Sequence, residues 1–263
     1  MDWIEKERKR AHADGVFHPE SFPFLLTPEK PNGEAVVLIH GFGATPRSIL
    51  PVAEELRKHQ FTVIGVRLPG HGTSPQDLMN RKAVEWMECA RSAFDELATR
   101  GLTVSAGGLS TGALIALTLA SQRPVNRLLL FSPFLRLHHH LAPLAGFLSL
   151  FVPYQQRTID DAEKGLYYSQ RPLKAVAQIN RLLRDMPRIL PQIQVPTLIL
   201  TSTGDTTIAR GTAAKMYQRL GTPHKTIHTY GDDVPHVITT AENPQLDDVL
   251  RRTVDFMSQQ FDG

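Results

Sequence analysis

The chain has 263 residues, enough for one large domain or two small ones and for a core without disulfide or metal staples. Its 29 basic and 26 acidic side chains leave a formal charge of +3, with no basic run beyond KERKR at 6–10, which argues against a nucleic-acid partner. A composition of 41% hydrophobic and 21% charged residues excludes a disordered chain, and a lone cysteine, Cys89, excludes an internal disulfide framework. Cys89 reads as a small buried hydrophobe on a helix. The N-terminus shows charge but no apolar signal core. The longest apolar stretch, 141–153 (LAPLAGFLSLFVP), is too short to span a bilayer and carries two prolines. The expectation is a cytoplasmic protein with no membrane-spanning segment.

In chain order, residues 35–39 (AVVLI) predict a strand, and Thr45-Pro46 supplies a helix start before helical spacing over 48–59. Residues 62–68 predict a strand, 81–99 a helix, 102–106 a strand, 111–121 a helix and 127–131 a strand. After a long interval come a strand at 197–201, a helix at 211–219, a strand at 225–230 and a helix at 243–260. Apolar runs without alternation belong to strands covered on both faces. Strands alternating with helices make βαβ units, so the fold class is α/β: a mostly parallel open sheet with helices on both faces. The interval breaks that rhythm and is too long for a structureless loop. Helix-like segments at 160–170 and 172–190 make it a helical insertion over 135–190, set into one discontinuous core of 1–134 and 191–263 on the edge where ligands of such sheets bind.

The sharpest chemical signal is Gly108-Leu109-Ser110-Thr111-Gly112, placed where a strand turns into a helix. Glycine at Gly108 and Gly112 removes the collisions that a sharp turn would impose, so the Ser110 oxygen projects into a cleft. A dinucleotide loop would need G-x-G-x-x-G and an acid ending the next strand, but that strand runs into Phe131-Ser132-Pro133. His40-Gly41-Phe42-Gly43 follows the first strand, and its glycines let backbone N–H groups face the cleft. The backbone N–H groups of Phe42 and Thr111 are the candidate oxyanion donors. His40 reads as a loop-fixing residue, with Gly41, Gly108 and Gly112 as supporting positions. A serine nucleophile needs a base and an orienting acid. Asp205 and His236 follow the two later strands, in the order Ser–Asp–His expected of this arrangement. Asp232 and Asp233 share the histidine's own loop and read as solvated charge. His138-His139-His140, taken as helical, would point three ways and bind no metal. His71 reads as a loop-shaping residue.

The chain resembles the α/β-hydrolase superfamily over nearly its full length, most closely its bacterial carboxylesterases and monoacylglycerol lipases. The residues that carry the resemblance are VVLIHGFG at 36–43, LPGHG at 68–72, GGLSTG at 107–112, PTLILTSTGD at 196–205 and HVIT at 236–239. The resemblance implies Ser110 as nucleophile, His236 as base, Asp205 as orienting acid, no cofactor or metal, and the insertion over 135–190 as a helical cap that roofs the acyl pocket. It implies an ester substrate, with a thioesterase, a C–C bond hydrolase or a non-catalytic binding protein as alternatives. Two departures stand out: Val234-Pro235 where relatives commonly carry Ser-Gly or Gly-Gly, and Ser202 where they often carry glycine. Leu141, Leu144, Phe147, Leu148, Leu150, Phe151 and Val152 read first as packing of the cap onto the core. The alternative for them is an acyl pocket or a face that touches lipid aggregates.

Overall fold

A computed structural model describes residues 2–139, 141–156 and 166–261. The strands are β1 (Phe24–Leu26), β2 (Glu34–Ile39), β3 (Thr62–Val66), β4 (Thr103–Leu109), β5 (Leu128–Phe131), β6 (Tyr154–Gln156), β7 (Gln170–Pro172), β8 (Thr197–Ser202) and β9 (Lys225–Tyr230). The helices are α1 (Trp3–Ala13), α2 (Leu50–Lys58), α3 (Pro75–Asn80), α4 (Ala83–Thr99), α5 (Thr111–Ala120), α6 (Ala145–Leu148), α7 (Leu173–Ile189), α8 (Thr212–Arg219) and α9 (Leu246–Met257). Seven strands form one sheet in the order β1-β3-β2-β4-β5-β8-β9. β1 runs antiparallel to β3 and every other pair is parallel.

Successive side chains of a strand point to opposite faces, and β2 shows why this sheet needs two helix layers. Ala35, Val37 and Ile39 join the core on the side of α4, α5 and α7, while Val36 and Leu38 join the one under α2 and α9. Both sets are fully buried. α5 is apolar on every side, as a helix at the centre of a layer must be.

The α/β class and the predicted main elements agree with this architecture, most ends shifting by one to three residues. β4 runs on to Leu109, because Gly107 and Gly108 still pair with β5. The helix expected from residue 48 begins as a 3-10 turn, Pro46–Ile49, before α2. α1, β1, α3, β6 and β7 were not predicted. α1 has one buried residue, Ala11, and so no apolar stripe to read. Of the helix expected over 160–170, residues 160–165 lie outside the described residues, and 166–170 correct the expectation: they form a turn and irregular chain that runs into β7 at Gln170. His138 and His139 sit in an irregular segment rather than on a helix, which corrects the premise used for them, and His140 lies outside the described residues. Among the described residues, no cluster of His, Cys, Asp and Glu is arranged to hold a metal, and no helix is long and apolar enough to cross a membrane.

Candidate active site

β4 delivers Ser110 to the carboxyl edge of the sheet, and α5 starts at the next residue. Ser110 has φ +56° and ψ −115°, in the left-handed half of backbone space that L-residues avoid. Its N–H donates to Phe131 O at 2.8 Å, and its carbonyl accepts from Ala113 N at 3.0 Å. The turn closes only because its flanks are bare. A Cβ on Gly108 would lie 2.2 Å from the Gly112 carbonyl carbon, and one on Gly112 would lie 2.1 Å from Ile39 O. The sharp turn at Ser110 thus presents its hydroxyl to the cleft at the head of a helix dipole.

β8 and β9 bring the two other polar groups to the same edge. His236 Nε2 lies 2.9 Å from Ser110 Oγ, and Nδ1 contacts Asp205 Oδ2. Asp205 Oδ1 accepts from the N–H groups of Thr207 (2.8 Å) and Ile208 (3.2 Å). The Asp205 side chain is 1% exposed, so both of its oxygens are committed to protein donors. The three residues named from spacing therefore form one hydrogen-bonded line. Asp232 and Asp233 are exposed, and neither bonds to His236 among the described residues.

The histidine loop is tied down by polar side chains to which sequence reading gave no such role. Ser132, itself at φ +46°, donates to His236 O at 2.7 Å. Thr239 Oγ1 donates to Ser48 O, and Asn243 Nδ2 donates to Ile238 O. The two departures noted in the sequence meet here: Ser202 Oγ donates to Val234 O. Val234 is itself fully buried, so the departing pair anchors the loop that carries His236. No local signal gives the partners of Ser132 and Ser202, because the sheet brings those partners close.

Across the cleft, Gly41 lies against Ser110, 3.6 Å from an ideal Cβ to that of Ser110. Among the described residues, the N–H groups of Phe42 and Thr111 have no protein acceptor. His40 is fully buried; its Nε2 accepts from Leu68 N at 3.1 Å, so the proton is on Nδ1, which meets Gly41 O at 2.8 Å. Burial pushes its pKa down to about 4, so the ring is neutral. His71 packs edge-on against His40, Phe42 and Trp86, and burial lowers its pKa as well. His40 thus sits where a loop-fixing residue was expected. Cys89 lies on α4, half-buried against the core rather than fully buried, with Sγ 3.4 Å from Arg67 O, and desolvation of the thiol pushes it up to about 12.

Ser110 and His236 sit in a cleft of about 620 Å³, within the range of small-molecule sites. Leu141, Ala145, Leu148, Val152, Leu173 and Ile179, all from the segment between β5 and β8, form much of its apolar wall. Gln155, Arg171, Thr240 and Glu242 add polar groups. The expectation that the apolar stretch packs inward holds only in part. Leu148 turns to the cleft, but Leu144 (52%), Phe147 (63%), Leu150 (76%) and Phe151 (71%) stand exposed.

With this geometry in view, comparison with known proteins is decisive at the level of family. The family model for serine aminopeptidase S33 hydrolases matches residues 30–240. The chain belongs to this family. The S33 assignment agrees with the α/β-hydrolase resemblance read from the motifs. A thermostable monoacylglycerol lipase from a Bacillus species is 27% identical over 249 residues, 91% of this chain and 98% of that protein. A carboxylesterase of Bacillus subtilis is 22% identical over 236 residues, 88% and 94% of the two chains. Among solved structures, one reported for the metagenome-derived lipolytic enzymes LipS and LipT superimposes with a TM-score of 0.81 at 23% identity. That match covers 92% of this chain and 99% of the other, and establishes the shared fold.

Proposed function

We propose that this S33-family chain hydrolyses carboxylic esters, either short-to-medium acyl esters or monoacylglycerols, through an acyl-enzyme. The observation that carries the reading is the Ser110–His236–Asp205 line on the floor of an apolar cleft. Ser110 Oγ attacks the ester carbonyl as His236 Nε2 takes its proton. The oxyanion forms between the N–H groups of Phe42 and Thr111, where fixed dipoles need no reorganisation. His236 then returns the proton to the leaving alcohol. A water that gives its proton to the same nitrogen attacks the acyl-enzyme, and the imidazolium returns that proton to Ser110 Oγ as the acyl–Oγ bond breaks and the acid leaves. Asp205 keeps the proton on Nδ1 and balances the transient imidazolium. His40, Gly41, Gly108 and Gly112 hold the two loops, and no cofactor or metal takes part.

In this reading, residues 135–190 are the cap and 1–134 with 191–263 the catalytic core. The cap's wall receives the acyl chain, and its exposed apolar residues support contact with lipid aggregates. We assign the enzyme to the cytoplasm, since Cys89 needs no oxidising compartment. The test is turnover of p-nitrophenyl esters of graded length and of monoacylglycerols by wild type and Ser110→Ala. The substitution is expected to lower kcat by up to about 10⁶-fold with the fold intact. Near-wild-type turnover by Ser110→Ala, or no labelling of Ser110 by a fluorophosphonate, refutes the reading.

A further inference from the structure

The outer surface beside the cleft combines two features that the proposed reaction does not use. Leu144, Phe147, Leu150 and Phe151 are each more than half exposed, and the rings of Phe147 and Phe151 meet edge-on with centroids 5.5 Å apart. Exposed large apolar side chains clustered in one short segment are unusual on a soluble surface and mark contact sites. The second feature is the outward stripe of α7. Lys174, Ala177, Arg181, Arg184 and Arg188 follow one another at intervals of three and four, so they share one helix face. All four cations are exposed. Among the described residues Lys174, Arg181 and Arg184 make no ion pair, and Arg188 lies 3.7 Å from Asp185, the one acid on α7.

The two features adjoin. Gly146 of α6 lies against Ala177, in the middle of the cationic stripe, and Asn180 Nδ2 donates to Ala142 O at 2.7 Å. The apolar patch is also continuous with the cleft, since Leu141, Leu148 and Val152 line it from the same segment. Lys174, Arg181 and Arg184, without an ion pair among the described residues and beside exposed apolar rings, match one kind of surface: anionic headgroups over hydrocarbon. A neutral lipid would leave the stripe without a partner. A second copy of this chain would set like charges face to face under two-fold symmetry, unless its contact avoided α7.

We infer that this face docks on an anionic lipid surface. Lys174, Arg181, Arg184 and Arg188 meet headgroup phosphates, and Leu144, Phe147, Leu150 and Phe151 enter the boundary with the acyl chains. The cleft mouth then opens toward the lipid. That docking delivers substrate rests on the ester-hydrolase reading; the docking itself does not.

The test is flotation of the whole protein with vesicles of phosphatidylcholine alone or mixed with phosphatidylglycerol, beside turnover of a soluble short-chain p-nitrophenyl ester. Wild type is expected to float with the mixed vesicles far more than with the neutral ones, and less as salt rises. Arg181→Gln with Arg184→Gln lowers that partition about 25-fold, at roughly fivefold per cation near an anionic surface. Phe147→Ser with Phe151→Ser lowers it by removing insertion. Both double variants keep wild-type turnover of the soluble ester, because none of these side chains lines the cleft. Equal partition onto neutral and anionic vesicles overturns the inference. So does absence of vesicle binding, including the case in which the Phe147/Phe151 variant abolishes a dimer of the wild type. Loss of soluble-ester turnover by the wild type refutes the hydrolase reading instead, and leaves the docking to be judged by flotation alone.

Discussion

Asp205→Asn tests the hydrogen-bonded line at its most buried member. Two backbone N–H groups, from Thr207 and Ile208, point at Oδ1, and His236 Nδ1 faces Oδ2. An asparagine keeps its carbonyl oxygen toward the two N–H donors, so its NH₂ faces Nδ1. The imidazole must then accept at Nδ1 and carry its proton on Nε2, 2.9 Å from Ser110 Oγ. In that tautomer it cannot take the serine's proton. Flipping the amide to rescue it sets NH₂ against two N–H groups and forfeits two hydrogen bonds, at about 1 kcal/mol each plus the cost of leaving both donors unpaired. The productive tautomer is therefore a minor state, and kcat is expected to fall about 10⁴-fold, or about 5 kcal/mol of barrier. KM for a p-nitrophenyl ester should change little, since Asp205 makes no contact with the cleft. Urea melts should stay near wild type because the amide preserves both backbone bonds. A kcat within tenfold of wild type, with the variant folded, would show that Asp205 does not set the tautomer of His236.

Three further substitutions probe the turn and its support. Ser110→Gly relieves a non-glycine residue at φ +56° and should raise Tm by about 2–4 °C while abolishing turnover, since such strain is worth roughly 1 kcal/mol; an unchanged or lower Tm counts against strain at this position. Gly112→Ala drives a Cβ to 2.1 Å from Ile39 O, a backbone atom in the central strand. It should cost about 3 kcal/mol or more and lower Tm by at least about 6 °C, and a variant as stable as wild type refutes the packing argument. His40 is buried neutral with its pKa pushed down from 6.5 to about 4, so the unfolded chain takes up a proton that the native protein refuses. Stability should therefore fall as pH drops from about 6.5 toward 4, by on the order of 3 kcal/mol from this residue. Urea midpoints across that window should fall less in His40→Asn, and an equal fall excludes His40 as a source.

The residues that neighbour in sequence settle much of this molecule before it folds. Gly108-Leu109-Ser110-Thr111-Gly112 can be read in one dimension because strand, turn and helix start are consecutive, and the steric demand for glycine is local. Asp205 and His236 are readable for a related reason: parallel strands all end at one edge, so residues just past β8 and β9 arrive near Ser110 without any contact being known. Weakly patterned pieces escape this logic. β1 has three residues, and α1 buries one, so neither carries a period.

Other features exist only after the chain has closed. Ser132 and Ser202 hold the histidine loop through carbonyls far along the chain, and a serine in sequence does not say whose oxygen its hydroxyl will meet. The segment that includes Leu144 and Phe151 reads in sequence first as packed interior, because hydrophobicity records a preference for leaving water and not the surface that provides the exit. Tertiary structure decides the matter by committing the buried side of α7 to the core and leaving its cationic stripe, with these apolar neighbours, on the outside. Local sterics and sheet topology thus determine the Ser110–His236–Asp205 line from sequence, whereas long-range packing alone determines what stands around it.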